Sequence, residues 1–322
     1  MRAILALLLA CAAAAASAQT PEGMRRIGVL SPVSQDEARA HYPAFTERLR
    51  ELGHVEGSRL AIDWRFAQGD YARLPLLAGE LVKAGAEVIV TYGTPAVAAA
   101  RRATASVPIV AISVADPVGS GFARSLERPG GNVTGLTTMD SAVHEKRLEL
   151  LLEALPGARR IGLVVMPDNT FFTRVLPGLE AAAKRRGCVI LLVNARTLRD
   201  LREGFSMLAT RRADGLLIGD DPALNTVSAA LAGHALHYKL PAVFPTLRGA
   251  EDGGLFGYPN DPRHRYRSAA NYVDKLLRGA KAAELPFELP LKFDLAVNKK
   301  TAAAIGVTLP PAVLARANRV IE

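Results

Sequence analysis

The chain has 322 residues, 49% hydrophobic and 22% charged, with a formal net charge of +9 at pH 7. That composition describes a folded protein with room for two domains and excludes a disordered or low-complexity chain. The basic residues fall in scattered pairs and aromatics make up only 6%, so the basic stripe with interleaved aromatics of a nucleic-acid binder is missing and no nucleic-acid partner is expected.

The chain starts with Arg2, an apolar stretch over residues 3–16, and Ala16-Ser17-Ala18. A positive start, an apolar run too short to span a bilayer and an A-x-A site together read as a signal peptide over 1–18, cleaved near Ala18 for export to the periplasm. A lipoprotein box at Leu8-Leu9-Ala10-Cys11 is the lesser alternative, because so few residues precede Cys11. Cleavage leaves Cys188 as the single thiol of two cysteines, which excludes an intrachain disulfide and suits a small buried hydrophobe.

Arg-Arg-Ile-Gly occurs at Arg25-Arg26-Ile27-Gly28 and again, at an offset of 134 residues, at Arg159-Arg160-Ile161-Gly162. In the first copy the pattern predicts strands over 27–30, 60–66, 88–92 and 109–114, alternating with helices over 40–52, 74–84 and 95–104. The stretch 116–138 is rich in Gly and Pro and reads as an irregular crossing between lobes. The second copy opens with a helix over 144–155. Strands over 161–166, 189–193, 215–219 and 242–244 then alternate with helices over 172–186, 198–208 and 226–238. A short strand at 255–258, a helix at 265–278, an extended segment at 286–295 and two short helices complete the chain.

Apolar strands separated by helices of about three turns indicate parallel sheets covered on both faces. The expected fold is therefore α/β, with two Rossmann-like lobes joined by a multi-strand hinge. The expected division assigns 25–137 plus 253–283 to lobe one, and 138–252 plus 284–322 to lobe two.

Ligands of parallel α/β sheets bind beyond the carboxyl ends of the strands. Those ends carry Ser31, Gly93, Thr94 and Asp116 in lobe one, and Asn169, Asp220 and Asp221 in lobe two. In Gly93-Thr94-Pro95, Thr94 suits the N-cap of a helix opening at Pro95, and the free N–H groups there suit an anion such as a carboxylate. Plain capping explains the same residues. Asp116 and the Asp220-Asp221 pair suit an ammonium or hydroxyl, while Asp116-Pro117 and Asp221-Pro222 equally read as turn initiators. Tyr92, Phe171, Phe172 and Tyr258 could stack on a flat ligand or serve as packing.

Enzyme signatures are missing from the sequence. Gly119-Ser120-Gly121 runs on to Arg124 where a dinucleotide fingerprint needs Gly. No P-loop and no nucleophile elbow occurs, and His144-Glu145 lacks the second His of a zincin. His234 and His237 stand three apart without further ligands nearby. No catalytic residue, cofactor or metal is expected.

Six segments carry a family resemblance: Gly93-Thr94-Pro95-Ala96; Asp116-Pro117-Val118-Gly119; Arg128-Pro129-Gly130-Gly131-Asn132-Val133-Thr134-Gly135-Leu136; Tyr272-Val273-Asp274-Lys275-Leu276-Leu277-Arg278-Gly279-Ala280; Asn298-Lys299-Lys300-Thr301-Ala302; and Gly306-Val307-Thr308-Leu309-Pro310-Pro311. Through them the chain from about Arg25 to Glu322 resembles the type I periplasmic solute-binding proteins of ABC importers, in the branch that includes tryptophan- and tyrosine-binding receptors. The resemblance implies a hinged, monomeric receptor that closes on a small ligand and delivers it to ABC permease subunits in the inner membrane. One segment departs. Many relatives have Ser-Tyr-Gly-Pro-Asp after the Gly-Gly turn, whereas this chain reads Phe256-Gly257-Tyr258-Pro259-Asn260-Asp261, with the Tyr shifted by one place.

The leading expectation is a transport receptor for an amino acid or similar small carboxylate. Thr94 and its helix end would take the carboxylate, Asp116 or Asp221 the amine, and Ser31 and Asn169 further hydrogen bonds. A ligand-sensing receptor for a signalling partner shares the same fold. An extracytoplasmic enzyme is the third alternative.

Overall fold

Each copy of Arg-Arg-Ile-Gly runs straight into a central strand of its own sheet. The computed structural model describes residues 24–39, 41–138, 140–289 and 293–322; the expected signal peptide and Cys11 lie outside the described residues. In the first lobe, β1 (Arg25–Ser31) is followed by α1 (Gln35–Ala38), α2 (Tyr42–Glu51), β2 (Leu60–Phe66), α3 (Leu74–Lys83), β3 (Val88–Tyr92), α4 (Thr94–Ala103), β4 (Ile109–Val114) and β5 (Val133–Thr137). The second contains α5 (Asp140–Ala154), β6 (Arg160–Val165), α6 (Phe171–Arg185), β7 (Val189–Asn194), α7 (Leu198–Thr210), β8 (Gly215–Ile218), α8 (Pro222–Thr226), α9 (Ser228–His237), β9 (Ala242–Phe244), α10 (Leu247–Glu251) and β10 (Phe256–Gly257). The chain ends with α11 (Pro262–Leu277), β11 (Ala296–Asn298), α12 (Lys299–Ile305), α13 (Pro311–Ala315) and β12 (Arg319–Ile321).

The two sheets are wound alike. The first has the order β2-β1-β3-β4-β5, and the second begins β7-β6-β8-β9-β10 before adding β11 and β12 at its far edge. All pairings are parallel except β10 with β11. The repeated glycine has a packing reason in both copies. A Cβ on Gly28 would stand 2.9 Å from Leu81, and one on Gly162 would stand 2.9 Å from Leu208 and Leu216. Both glycines let a covering side chain settle directly on the strand.

Each sheet is covered on two faces. On the first, Leu30, Ile89 and Ala111 pack under α3 and α4, while Ile27, Val29 and Val90 pack under α2 and α11. Fully burying one such aliphatic side chain contributes about 1.5–3 kcal/mol. Helix α11 starts cleanly, with Pro262 in its first turn and the Asp261 carboxylate accepting from the N–H groups of Arg263 and His264. Among the described residues, no helix is long and apolar enough to cross a membrane.

The chain passes between the lobes after β5 and after β10, and Glu288 packs with the first lobe while Asp294 bonds back toward the second. These segments are tied to one another: the Thr137 N–H donates to the Glu288 carbonyl at 3.0 Å, and the Asp294 N–H donates to the Pro259 carbonyl at 2.9 Å. The hinge is thus multi-stranded. The return to lobe one comes later than residue 253, where the sequence puts it. β10 pairs with β9 and β11 in the second sheet, and α11 is the part that packs on α2, β4 and β5. The next turn also stays with lobe one, where Phe287 is buried and the Glu288 N–H donates to Gly135. Strands β5, β11 and β12 are absent from the sequence reading. β5 closes the Gly- and Pro-rich stretch read as an irregular crossing, and β11 and β12 are three residues each in the tail read as an extended segment and short helices.

Candidate functional site

In a sheet ordered 2-1-3-4-5, the winding direction reverses between the first and third strands, leaving a crevice at their carboxyl ends. Here that happens twice, at β1/β3 and at β6/β8. The first crevice is edged by Ser31 and by Tyr92-Gly93-Thr94, the second by Asn169 and by Asp220-Asp221. The two crevices meet.

Asp221 is their meeting point. It is fully buried, and its Oδ1 accepts from the Tyr71 phenol of the first lobe at 2.8 Å, from the Ala223 N–H at 2.8 Å and from the Leu224 N–H at 3.3 Å. Its Oδ2 accepts from the Asn169 amide at 2.9 Å. Burial raises the carboxyl to about 6, against the lowering effect of those four donors. Burial first, and then the Asp221 charge, push the Tyr71 phenol well above its ordinary range, so it stays a donor. Asn169 also holds its own turn, its Oδ1 accepting from the Phe171 N–H at 3.2 Å.

Two more contacts close the seam. Arg174 on α6 donates to the Ser120 hydroxyl at 2.5 Å. Gly93, with φ of 81°, lets the first lobe come against Pro222 so closely that a Cβ there would stand 2.8 Å from the Pro222 Cγ. A groove of about 820 Å³ opens beside this seam, lined by Gln68, Tyr71, Met166, Arg196 and Leu224 among others. It reaches the buried polar set at Tyr71 and Ala223.

Behind Ser31 lies a group of rings. Tyr42 meets Trp64 edge-on at 4.5 Å and Tyr266 at 5.4 Å, and Tyr92 lies 6.3 Å from Tyr266. Ser31 is fully buried beside the Tyr42 phenol. Tyr92 reaches toward the second lobe, near Asp220, Asp221 and Asn225. Burial is the main cause that raises its phenol.

The structure brings Ser31, Gly93, Thr94, Asn169, Asp220 and Asp221 to the two facing crevices. Thr94 does not cap its helix, which begins at Thr94 itself with Gly93 as the cap residue. Its hydroxyl instead accepts from the Ala115 N–H at 3.1 Å, and the helix end abuts Pro222. An anion has little room there. Asp116 is exposed, with φ of 41°, and its carboxylate accepts from the Gly119 N–H at 2.8 Å. It holds its own turn. The ring of Tyr258 stacks on Phe293 at 5.3 Å in the hinge, leaving its carbonyl to face the site.

Sequence reasoning misses Tyr71 and Arg147. Arg147 lies on α5, 2% exposed, and its Nη2 donates to the Tyr258 carbonyl at 3.2 Å and to Asp220 Oδ2 at 3.4 Å. The signal was there: Arg147 sits on the apolar stripe of α5 with His144, Leu148 and Leu151, all three of them buried. A charge on such a stripe marks a buried polar task.

Two like-wound lobes with facing crevices, a multi-stranded hinge and a polar seam define a two-lobed binding protein of the type I periplasmic class. The match to family models goes further: the chain belongs to the ABC transporter substrate binding protein family, matched over residues 26–321. A curated relative, the tyrosine-binding protein of Clostridioides difficile strain R20291, is 25% identical over 281 residues, covering 87% of this chain and 81% of the relative. A conserved domain protein of Vibrio cholerae superposes with a TM-score of 0.86 at 28% identity, over 92% of this chain and 99% of that one. An ABC domain from Streptococcus pneumonia, solved in complex with L-Trp, shares the fold with a TM-score of 0.85 at 23% identity, over 92% of this chain and all of that one. The chain is a substrate-binding protein of the ABC transporter type.

Proposed function

We propose that this protein is an extracytoplasmic receptor that closes on an aromatic amino acid and presents it to the permease of an ABC importer. One observation carries the reading: polar groups from both lobes, Tyr71 on one side and Asp220 and Asp221 on the other, converge at facing strand ends. A site of that kind is complete only when the lobes are closed. The Asp220 carboxylate suits the α-ammonium group, Asp221 holds the seam beside it, and the Ser31 hydroxyl supplies a hydrogen bond from the first lobe. The rings of Tyr92 and Tyr266 suit an aromatic side chain. The tyrosine-binding relative supports the same ligand class.

On this reading the chain carries no catalytic role, acts as a monomer, and loses residues 1–18 on export to the periplasm. Intact mass of the secreted protein tests the last point: a start at Gln19 supports it, and an acylated Cys11 overturns it.

Calorimetry with the twenty common amino acids, with a hexose and a pentose as controls, tests the ligand class. Tryptophan, tyrosine or phenylalanine should bind, and Asp221→Asn should weaken that binding at least tenfold, about 1.4 kcal/mol. Binding of a sugar with no response to any amino acid would overturn the proposal.

A further inference from the structure

The second lobe buries a cation that its own residues do not satisfy. Arg147 is 2% exposed, and its Nε and Nη1 are both buried with no hydrogen-bond partner. A guanidinium stays charged in proteins and carries five N–H donors. Leaving such donors unpaired in a dry site is costly. Only Nη2 is engaged, by the Tyr258 carbonyl and by Asp220, and both acceptors stand just beyond the carboxyl ends of β10 and β8. The guanidinium therefore sits at the level of the crevice, where ligands of such sheets bind.

Its contact with Asp220 is loose. At 3.4 Å it exceeds the 2.7–2.9 Å typical of a charge-assisted bond. The other Asp220 oxygen is equally loose, at 3.4 Å from the Asn225 amide. A cation short of acceptors thus stands beside an anion short of donors. His144, one turn earlier on α5, is fully buried with both ring nitrogens unpartnered, and it packs on Phe171 and Phe172. Its neutral imidazole does not balance the Arg147 charge.

We infer that Arg147 anchors the ligand carboxylate, forming with Asp220 a paired seat for the zwitterionic head of an α-amino acid. The inference rests on the amino-acid reading above and deepens it. An α-amino acid carries its carboxylate and ammonium on a single carbon, so its two charges are as close together as Arg147 and Asp220 are. A carboxylate meets one of the unpartnered donors, Nε or Nη1, which face different edges of the guanidinium, and the ammonium meets Asp220. This replaces Thr94 and the α4 terminus as the anion site.

The competing explanation is structural, with Arg147 merely tying α5 to the ends of β8 and β10. Calorimetry at pH 7 separates the two. Wild type, Arg147→Met and Arg147→Lys are titrated with tryptophan and tyrosine and with tryptamine and tyramine, which lack the carboxylate. Wild type should prefer the amino acid to its amine at least 100-fold. Arg147→Met should lose at least 100-fold for the amino acid while changing less than threefold for the amine. Arg147→Lys, which keeps the charge and loses the fork, should lose at least tenfold.

An Arg147→Met protein that keeps wild-type affinity, or that loses amino acid and amine equally, overturns the inference. So does a fall in the urea midpoint of the ligand-free Arg147→Met protein with carboxylate preference intact, because that is the structural outcome. If wild type binds no aromatic amino acid, the reading of the ligand class fails separately. A panel of small carboxylic acids with their matched amides then decides on Arg147. Preference for the acid that is abolished in Arg147→Met supports it, and equal binding of acid and amide overturns it.

Discussion

The phenol of Tyr71, just past β2 in the first lobe, donates to the buried carboxylate of Asp221, just past β8 in the second, across 2.8 Å. The two residues are 150 positions apart in sequence; Asp221 lies at the winding reversal of its sheet, and Tyr71 lies past the edge strand of the other. The same carboxylate also receives the first N–H groups of α8. One side chain therefore both starts a helix in its own lobe and holds the opposite lobe.

Tyr71→Phe removes the only polar atom that the first lobe offers to Asp221 among the described contacts. A hydrogen bond to a charged group contributes about 1.5–3 kcal/mol. Small-angle scattering should show a larger radius of gyration for the ligand-free variant, and amino-acid affinity should fall about tenfold. An unchanged radius together with unchanged affinity would mean that this contact does not hold the lobes.

Asp221 gives the protein a definite response to pH. Burial raises its folded-state value from 3.8 to about 6, so the folded protein holds this proton more tightly than the unfolded chain. Its stabilising contribution is complete below pH 3.8 and is lost as pH rises through about 6, a change on the order of 3 kcal/mol. Asp221→Asn should abolish that slope. The melting-temperature difference, variant minus wild type, should grow between pH 4 and 6 and level off above; a constant difference would contradict the assignment.

His144 works in the opposite sense. Burial, and then the Arg147 charge, lower it from 6.5 to about 3, so the unfolded chain takes up the proton first. Its contribution is present above pH 6.5 and is lost as the pH falls toward 3. His144→Phe, placed among Phe171 and Phe172, should flatten the acid limb of the stability profile measured by urea denaturation. A variant with the same acid limb as wild type would show that another group governs it.

The winding of both lobes is legible in the sequence because the repeat and the alternation of apolar strands with helices are long-range patterns. Site chemistry is less so, and the two Asp-Pro steps show why. Asp116-Pro117 and Asp221-Pro222 read alike, yet Asp116 is exposed and bonds to Gly119 three residues on. Asp221 is buried by a tyrosine from the other lobe. Nothing local separates them; the difference arises from tertiary contact. Tyr71 is hidden for the same reason, lying in a turn with no apolar period. Thr94 misleads because a Thr before Pro fits a cap so well, while the real constraint is the approach of Pro222 to Gly93.

That approach leads to a prediction with two separable parts. Gly93 has φ of 81° and ψ of 152°, a region essentially reserved for glycine, where another residue costs about 1–3 kcal/mol. Gly93→Ala should lower the ligand-free stability by that amount in urea denaturation, whether the lobes are open or closed. Its methyl would also stand 2.8 Å from the Pro222 Cγ, a clash that exists only when the lobes meet, so ligand affinity should fall as well. Adding Pro222→Ala makes room for the methyl without altering the dihedral strain. The double variant should recover affinity and remain as unstable as Gly93→Ala. If Pro222→Ala restores neither quantity, the contact between Gly93 and Pro222 does not limit closure.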